Sequence, residues 1–184
     1  MALLFLLLFL PVHAWAALPE GPFEDPGFYS LWGGGNCVWF AWVIAYREWG
    51  VRLPWAGDAR NWADLAGRAV SVGGKVYRIE ASAEPVPGSV AVMQPEYLRW
   101  WNGGPYDYDW LGHVAWVTDV KDIRVVLRDG REIETGWRVF NVLESGVYPP
   151  GDWDIWRGCR YRKTWYLWPP DGRQGLVFLT VAPA

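Results

Sequence analysis

The chain has 184 residues, of which 52% are hydrophobic, and its formal net charge is -3. This length and composition are typical of one domain with a sizeable core, and they exclude a disordered chain and a strongly basic nucleic-acid-binding protein. The 16 tryptophans are unusual for a domain of this size. So many indole rings predict exposed aromatic surface in addition to an aromatic core.

The N-terminus has the pattern of a secretory signal. Residues 3–10 are uniformly apolar, and Ala14-Trp15-Ala16 places small residues at the two positions that a signal peptidase reads. The apolar run is short for a membrane span, although an uncleaved anchor or a buried strand is the alternative. We therefore expect a secreted, extracellular or cell-envelope protein with a signal peptide at residues 1–16, a linker at 17–31 and one folded domain at 32–184.

Helix signals come first in the domain. Asn36 and Gly50 are a cap and a stop for a helix over residues 37–49, whose first three turns are apolar on every face. Such a helix is expected to be buried in the middle of the domain. A second, shorter helix is predicted over residues 58–66, with Asp58 as its cap.

Strand signals follow the helices. Apolar and alternating stretches predict strands at residues 76–79, 89–93, 113–120, 123–127, 131–135, 138–145 and 175–181. Asp129-Gly130 predicts a hairpin turn, and residues 94–112 are predicted to be an irregular loop. Helices followed by consecutive strands indicate an α+β fold with an antiparallel sheet.

Cys37 has the surroundings of a nucleophile. It lies in the first turn of the predicted buried helix, where unpaired N–H groups and the positive end of the helix dipole lower a thiol pKa. Three glycines at residues 33–35 would let a substrate backbone approach closely. In an exported chain with two cysteines, the alternative is a disulfide between Cys37 and Cys159. We predict instead that Cys159 is a free, partly buried thiol.

A cysteine nucleophile needs a base, and His113 is the one histidine outside the predicted signal. It opens a predicted strand directly after Gly112. Glu144 ends another predicted strand and could orient the imidazole, with a carboxylate oxygen within about 3.2 Å of a ring nitrogen. The alternatives are a structural histidine and an ordinary exposed glutamate.

Together these motifs resemble the CHAP domain family of cysteine, histidine-dependent amidohydrolases and peptidases. The similar stretches occur in the order typical of the family. They are GNCVWF at residues 35–40, GDARNW at 57–62, PGSVAV at 87–92, GHVAWV at 112–117, VLES at 142–145 and GLVFL at 175–179. The family often has an asparagine two residues after the glutamate, and Gly146 stands at that position here. The separation of His113 from Glu144 is also longer than usual, and the Asp129-Gly130 hairpin accounts for the excess.

The resemblance implies a papain-like fold, with N-terminal buried helices packed on an antiparallel sheet, and a catalytic domain that uses no metal or other cofactor. It implies that Cys37 attacks an amide bond of peptidoglycan while His113 acts first as base and then as acid. The expected activity is that of an N-acetylmuramoyl-L-alanine amidase or an endopeptidase. The expected partner is a glycan strand or a stem peptide, with no nucleic acid and no stable membrane span after processing. The missing asparagine and the aromatic excess give modest support to an alternative, a catalytically impaired module that binds the wall, but the retention of Cys37, His113 and a well-placed acid argues against it. A disulfide-bonded surface protein with no active site is a third interpretation.

Two further parts of the site are expected. The Cys37 backbone N–H is placed to hold the oxyanion, with the Asn36 side chain as a candidate second donor whose capping role competes. Aromatic residues in the segment before His113 predict a substrate-binding groove wall, and the alternative is packing of these rings onto the domain. These residues are Trp100, Trp101, Tyr106, Tyr108 and Trp110.

Overall fold

The structure of the chain is a computed structural model, which describes residues 36–103, 109–146, 154–156, 159–172 and 174–184. The predicted signal peptide, linker and triple glycine lie outside these residues, as do Tyr106 and Tyr108. No helix in the described part of the chain is long and apolar enough to cross a membrane.

The first helix, α1, spans Cys37–Trp49. The Asn36 side chain accepts a hydrogen bond from the backbone N–H of Trp39, and Gly50 ends the helix in the left-handed conformation. Seven of its residues are buried: Val38, Phe40, Ala41, Trp42, Val43, Ile44 and Ala45. The predicted bounds, cap and burial of this helix are therefore confirmed.

The second predicted helix is a 3-10 helix over Ala59–Leu65. Its buried residues Ala59, Trp62 and Leu65 are three apart, which matches the three residues per turn of this helix type. Asp58 precedes it without a side-chain capping bond within the described part of the chain. The predicted helix and its N-cap position are therefore confirmed, but the helix is of the 3-10 type and the Asp58 side chain makes no capping bond.

The strands of the described residues form one eight-stranded sheet in the order β1-β2-β8-β3-β4-β5-β7-β6. Every pair of neighbours is antiparallel, so the predicted α+β fold is confirmed. The strands are β1 Ala69–Val72, β2 Lys75–Ser82, β3 Val90–Met93, β4 His113–Val126, β5 Glu132–Ser145, β6 Asp154–Trp156, β7 Cys159–Trp168 and β8 Leu176–Pro183.

Strands β4 and β5 are each continuous, where the sequence predicted two shorter strands. Their pairing shifts register between Asp122 and Arg124, opposite residues 135–137 of β5. A β-bulge accommodates the extra residues, so the ladder continues through Gly136, which has a φ of 73°. The strand β5 therefore runs through residues 136 and 137, which the predicted strands leave out.

Three strands were not predicted at all: β1, β6 and β7. The strand β7 carries Arg160, Arg162 and Lys163 among its aromatic residues, and these charges obscure the apolar alternation that identifies a strand. It nevertheless pairs with β5 along eight consecutive positions, from Arg138↔Trp168 to Ser145↔Tyr161.

The segment predicted as an irregular loop contains a helix, α2, over Pro95–Asn102. Pro95 occupies its first turn and Gly103 caps its end with a φ of 73°, which are ordinary start and stop signals. Tyr97 and Leu98 anchor the helix because both are buried against the sheet. Tertiary packing thus supports a helix too short to be stable alone.

The sheet separates two hydrophobic clusters. Val92 and Val114 belong to the cluster that contains α1, while their neighbours Ala91 and Ala115 belong to the cluster that contains α2. This alternation shows that both faces of the sheet are covered. The start of β4 and the end of β5 lie side by side beneath the start of α1, and the candidate site is at this junction.

Candidate active site

Cys37 is the first residue of α1. Its thiol is free, and the residue as a whole is half-buried. Burial alone would raise the pKa of this thiol. The hydrogen bond and positive charge of His113, together with backbone hydrogen bonds from Val114 and Val38, outweigh burial and hold the pKa below the usual value. The free thiol contradicts the alternative of a disulfide at Cys37, and the side chain of Cys159 lies outside the described part of the chain.

His113 is the first residue of β4 and is 7% exposed. Gly112 before it has a φ of +74°, and a Cβ there would lie 2.8 Å from the backbone nitrogen of Arg60. A side chain at position 112 would therefore push β4 away from the 3-10 helix. Burial alone would lower the pKa of His113, but hydrogen bonds and charges of Cys37 and Glu144 raise it to about 10.

Glu144 is fully buried near the end of β5. Its Oε2 lies 2.9 Å from Nε2 of His113, which is the predicted contact and rules out an exposed glutamate. Burial alone would raise the pKa of the Glu144 carboxyl. His113, Tyr166 and Arg162 hold that pKa below the usual value through hydrogen bonds and charge.

The three side chains form one array. Because Nε2 of His113 faces Glu144, the other ring nitrogen is left for the hydrogen bond with Cys37. The lowered thiol pKa and the raised imidazole pKa both favour a thiolate beside an imidazolium. A fixed tautomer, a charged nucleophile and a proton donor in a row are what covalent catalysis by cysteine needs.

Two residues of this site were missed by sequence reasoning, and both lie on β7. Nε of Arg162 donates to Oε1 of Glu144 at 2.7 Å, and the Tyr166 hydroxyl donates to Oε2 at 2.6 Å. The strand containing them was not predicted, so no signal placed either residue near the site. A partly buried arginine and a buried tyrosine become informative only when the pairing of β7 with β5 is known.

The backbone of the turn after β5 lies against the start of α1. A Cβ on Gly146 would be 3.0 Å from the backbone nitrogen of Cys37, and the φ of Gly146 is +74°. The Oδ1 atom of Asn36 is engaged in capping, at 3.0 Å from the Trp39 nitrogen. Asn141 is bound away from the site, with its Nδ2 at 3.4 Å from Oδ2 of Asp119.

The aromatic residues predicted to bind substrate are divided between two places. Trp100 and Trp101 lie on α2 in the cluster on the opposite face of the sheet from α1, where Trp101 packs 5.4 Å from the Tyr166 ring. Their packing there agrees with the alternative that these rings pack onto the domain. Trp110 is 56% exposed and lies three residues before His113.

Trp110 has a cationic neighbour. The guanidinium of Arg60 lies 5.4 Å from the centre of the Trp110 ring, and its Nη1 donates to the Trp110 carbonyl at 3.3 Å. The two side chains form a cation–π pair beside the entrance to β4. No cluster of three or more His, Cys, Asp or Glu that could bind a metal occurs among the residues described.

Comparison with known proteins identifies one family. A sequence model of the CHAP domain matches residues 25–131, which is more than half of the chain. The matched region includes Cys37 and His113 and ends before Glu144. The assignment of Glu144 to the array therefore depends on the structure. No curated protein and no solved structure matches the chain.

Proposed function

Because the chain belongs to the CHAP domain family, a family of amidases and peptidases that act on peptidoglycan, we propose that it is a secreted cysteine hydrolase that cleaves amide bonds in peptidoglycan. The array of Cys37, His113 and Glu144 is the observation that carries this proposal. The rival, a catalytically impaired module that only binds the wall, would have no need of a buried carboxylate 2.9 Å from its histidine. On the same resemblance, we take the packing of α1 on the sheet to be papain-like.

The first half of the reaction forms an acyl-enzyme. The Cys37 thiolate attacks the amide carbon, and the carbonyl oxygen becomes an oxyanion that accepts a hydrogen bond from the Cys37 backbone N–H. His113 then gives its proton to the leaving nitrogen as the C–N bond breaks. Glu144 remains ionised throughout and stabilises the imidazolium.

The second half of the reaction releases the acid. Neutral His113 takes a proton from water while the water oxygen attacks the thioester carbon. The C–S bond breaks, Cys37 leaves as a thiolate beside the regenerated imidazolium, and the product carboxylic acid dissociates and loses its proton to the solvent. These steps use only the side chains of the array, the backbone N–H and water. The Nδ2 atom of Asn36 is the proposed second donor to the oxyanion, since its Oδ1 is engaged in capping.

The pair of Trp110 and Arg60 is the proposed contact for substrate next to His113. An exposed indole ring can pack against a sugar ring or an extended peptide, and a guanidinium can bind a carboxylate of a stem peptide. We expect Trp110→Ala to raise KM for peptidoglycan about 10-fold with kcat little changed, because the ring does not touch the reacting atoms. The exposed Trp55 is a matched control.

The same proposal includes export. Residues 1–16 act as a cleaved signal, residues 17–31 as a linker, and the mature domain works outside the cell or in its envelope. N-terminal sequencing of protein recovered from the culture medium and the envelope would test this. A mature N-terminus at residue 17 is the expected result, and protein retaining Met1 would contradict it.

Mass analysis of muropeptides tests the activity directly. Purified peptidoglycan is incubated with the wild type, with Cys37→Ala and with Cys159→Ala as a matched control. The wild type and Cys159→Ala are expected to release the same products, and Cys37→Ala none. Free stem peptides would identify an amidase, and shortened stem peptides an endopeptidase. Binding to peptidoglycan by the wild type without any new product would support the binding module instead.

A further inference from the structure

The Glu144 carboxylate is held from two strands. Glu144 is fully buried, and a buried carboxylate is costly unless its oxygens accept hydrogen bonds. His113 on β4 supplies one donor to Oε2. Two further donors come from β7, on the other side of β5, so the carboxylate is fixed between its two neighbouring strands.

Arg162 lies directly opposite Glu144 in the pairing of β5 with β7. Its Nε is 2.7 Å from Oε1, and its side chain is 21% exposed. The guanidinium therefore offsets the charge of Glu144 at the oxygen that does not face His113. Charge-assisted hydrogen bonds of this length are stronger than neutral ones.

Tyr166 approaches from four residues further along β7. Its hydroxyl is 2.6 Å from Oε2, the same oxygen that faces His113. Burial and the charge of Glu144 raise the pKa of Tyr166 well above its usual value. The hydroxyl therefore stays protonated and donates a hydrogen bond. The Tyr166 ring packs 5.7 Å from Phe140 and 5.4 Å from Trp101, which leaves the hydroxyl little freedom to move.

We propose that Arg162 and Tyr166 are positioning residues, which hold the Glu144 carboxylate in the orientation that fixes the His113 ring. The proposal rests on the proposed hydrolase in so far as it concerns catalysis. With both oxygens occupied, the carboxylate cannot rotate away from Nε2. Without the donors from β7, the carboxylate gains rotational freedom and is protonated more easily.

Tyr166→Phe tests the hydroxyl alone, because the ring and its packing remain. We expect kcat to fall about 10-fold with KM within about twofold, as for the loss of one hydrogen bond to a charged group. Tyr97→Phe is the matched control. The Tyr97 hydroxyl is also buried, but it donates its hydrogen bond to the carbonyl of Leu167 at 2.8 Å and not to a residue of the array. Equal losses of kcat in the two variants would indicate a structural role and overturn the proposal.

Arg162→Met tests the charge. We expect kcat to fall about 100-fold, and Arg162→Lys to recover part of the loss because it keeps a cation near Oε1. Among the described residues, the groups recorded as hydrogen-bonded to the Glu144 carboxylate are His113, Tyr166 and Arg162 itself. Loss of Arg162 raises the pKa of Glu144, so the acid limb of the kcat/KM profile should move to higher pH. Arg138→Met removes an ion-paired arginine that lies on β5 and not on β7. This variant should leave the acid limb in place.

A measurement without substrate separates the two proposals. The hydrogen-bonded Nε2–H proton of His113 should give a downfield NMR signal in the wild type and in Tyr97→Phe, identified by its loss in His113→Ala. We expect Tyr166→Phe and Arg162→Met to broaden or abolish this signal, because water then reaches the proton. An unchanged signal in both variants would overturn the positioning role. If the wild type does not hydrolyse peptidoglycan and the two variants still lose the signal, the positioning role is supported and the proposed hydrolase is contradicted.

Discussion

At the scale of single residues, Cys37 owes its acidity to neighbours of different origin. His113 supplies a hydrogen bond and a charge, and Val114 a backbone hydrogen bond, both from the distant strand β4. Val38 supplies a backbone hydrogen bond at the start of α1, which is local in sequence. All of these contacts favour the thiolate over the thiol. The thiolate is therefore expected before substrate binds.

Alkylation measures this acidity. The lowered pKa of Cys37 predicts that the rate of iodoacetamide labelling rises through a midpoint below the pKa of about 8.5 of a free cysteine. Cys37→Ser corrects for labelling of Cys159. A midpoint at or above that of free cysteine, or labelling only after reduction, would contradict a free, activated thiol.

The proton on His113 sets the alkaline limit of activity. Its pKa of about 10 predicts that kcat/KM stays high through neutral pH and declines as the pH rises through that value, because the leaving nitrogen then loses its proton donor. The pH profile of peptidoglycan hydrolysis measures the decline. A loss of activity near the ordinary histidine pKa of about 6.5 would show that the imidazolium is not stabilised as described.

The nucleophile and the base should fail together. Cys37→Ala and His113→Ala are each expected to abolish hydrolysis and leave the fold intact, and the double variant should be scarcely worse than either. Comparing the residual rates of the three proteins with their circular dichroism spectra tests this. Independent, multiplying losses would show that the two residues do not act as one unit.

At the scale of elements, the turn after β5 is packed against the first residue of α1. Gly146 approaches the Cys37 nitrogen so closely that a Cβ would lie 3.0 Å away. The Cys37 N–H is the proposed oxyanion donor, so this contact links the end of one element to the chemistry at the start of another. An L-residue at position 146 would also be strained, because its φ is +74°.

Gly146→Ala should therefore lower both stability and activity. We expect a loss of about 1 kcal/mol in the free energy of unfolding from backbone strain, and at least a 10-fold loss in kcat from displacement of the Cys37 amide. Gly130→Ala is the control: its φ is +83°, but nothing lies within 4 Å of the added Cβ. Denaturant unfolding and steady-state kinetics distinguish them, and equal kcat values in the two variants would contradict the role of the contact.

At the scale of the whole molecule, the site joins elements that are far apart in sequence. Cys37 comes from α1, His113 from β4, Glu144 from β5, and Arg162 and Tyr166 from β7. These groups are buried or partly buried around the Glu144 carboxylate and the Cys37 thiol. The ionisation of the site is therefore coupled to the stability of the fold.

Glu144 predicts how stability changes in acid. The pKa of Glu144 is lowered in the folded state. Its contribution to the free energy of unfolding is therefore present above the pKa of about 4.3 in the unfolded chain, and it is lost as the pH falls through the folded pKa. Thermal unfolding between about pH 6 and pH 3 should show a shallower decline of Tm in Glu144→Gln than in the wild type. Replacement of the exposed Glu96 by Gln is the control and should keep the wild-type slope. Identical slopes in all three proteins would contradict this linkage.

Local signals were sufficient for several parts of this molecule. The bounds of α1 follow from Asn36 and Gly50, because capping depends on groups within one turn of the helix end. The antiparallel sheet follows from consecutive strands and their turn residues. The contact between Glu144 and His113 was predictable because His113 opens β4, Glu144 lies near the end of β5, and a hairpin connects these two strands.

Other features were decided only by tertiary structure. The charged residues of β7 obscure its strand pattern in the sequence, and only its pairing with β5 brings Arg162 and Tyr166 to the Glu144 carboxylate. The approach of Gly146 to Cys37 likewise depends on how α1 packs on the sheet. The physical reason is that the sequence determines the caps, turns and apolar patterns of each segment through short-range forces. Strand register, and the hydrogen bonds that make a buried charge tolerable, depend instead on contacts between segments that are distant along the chain.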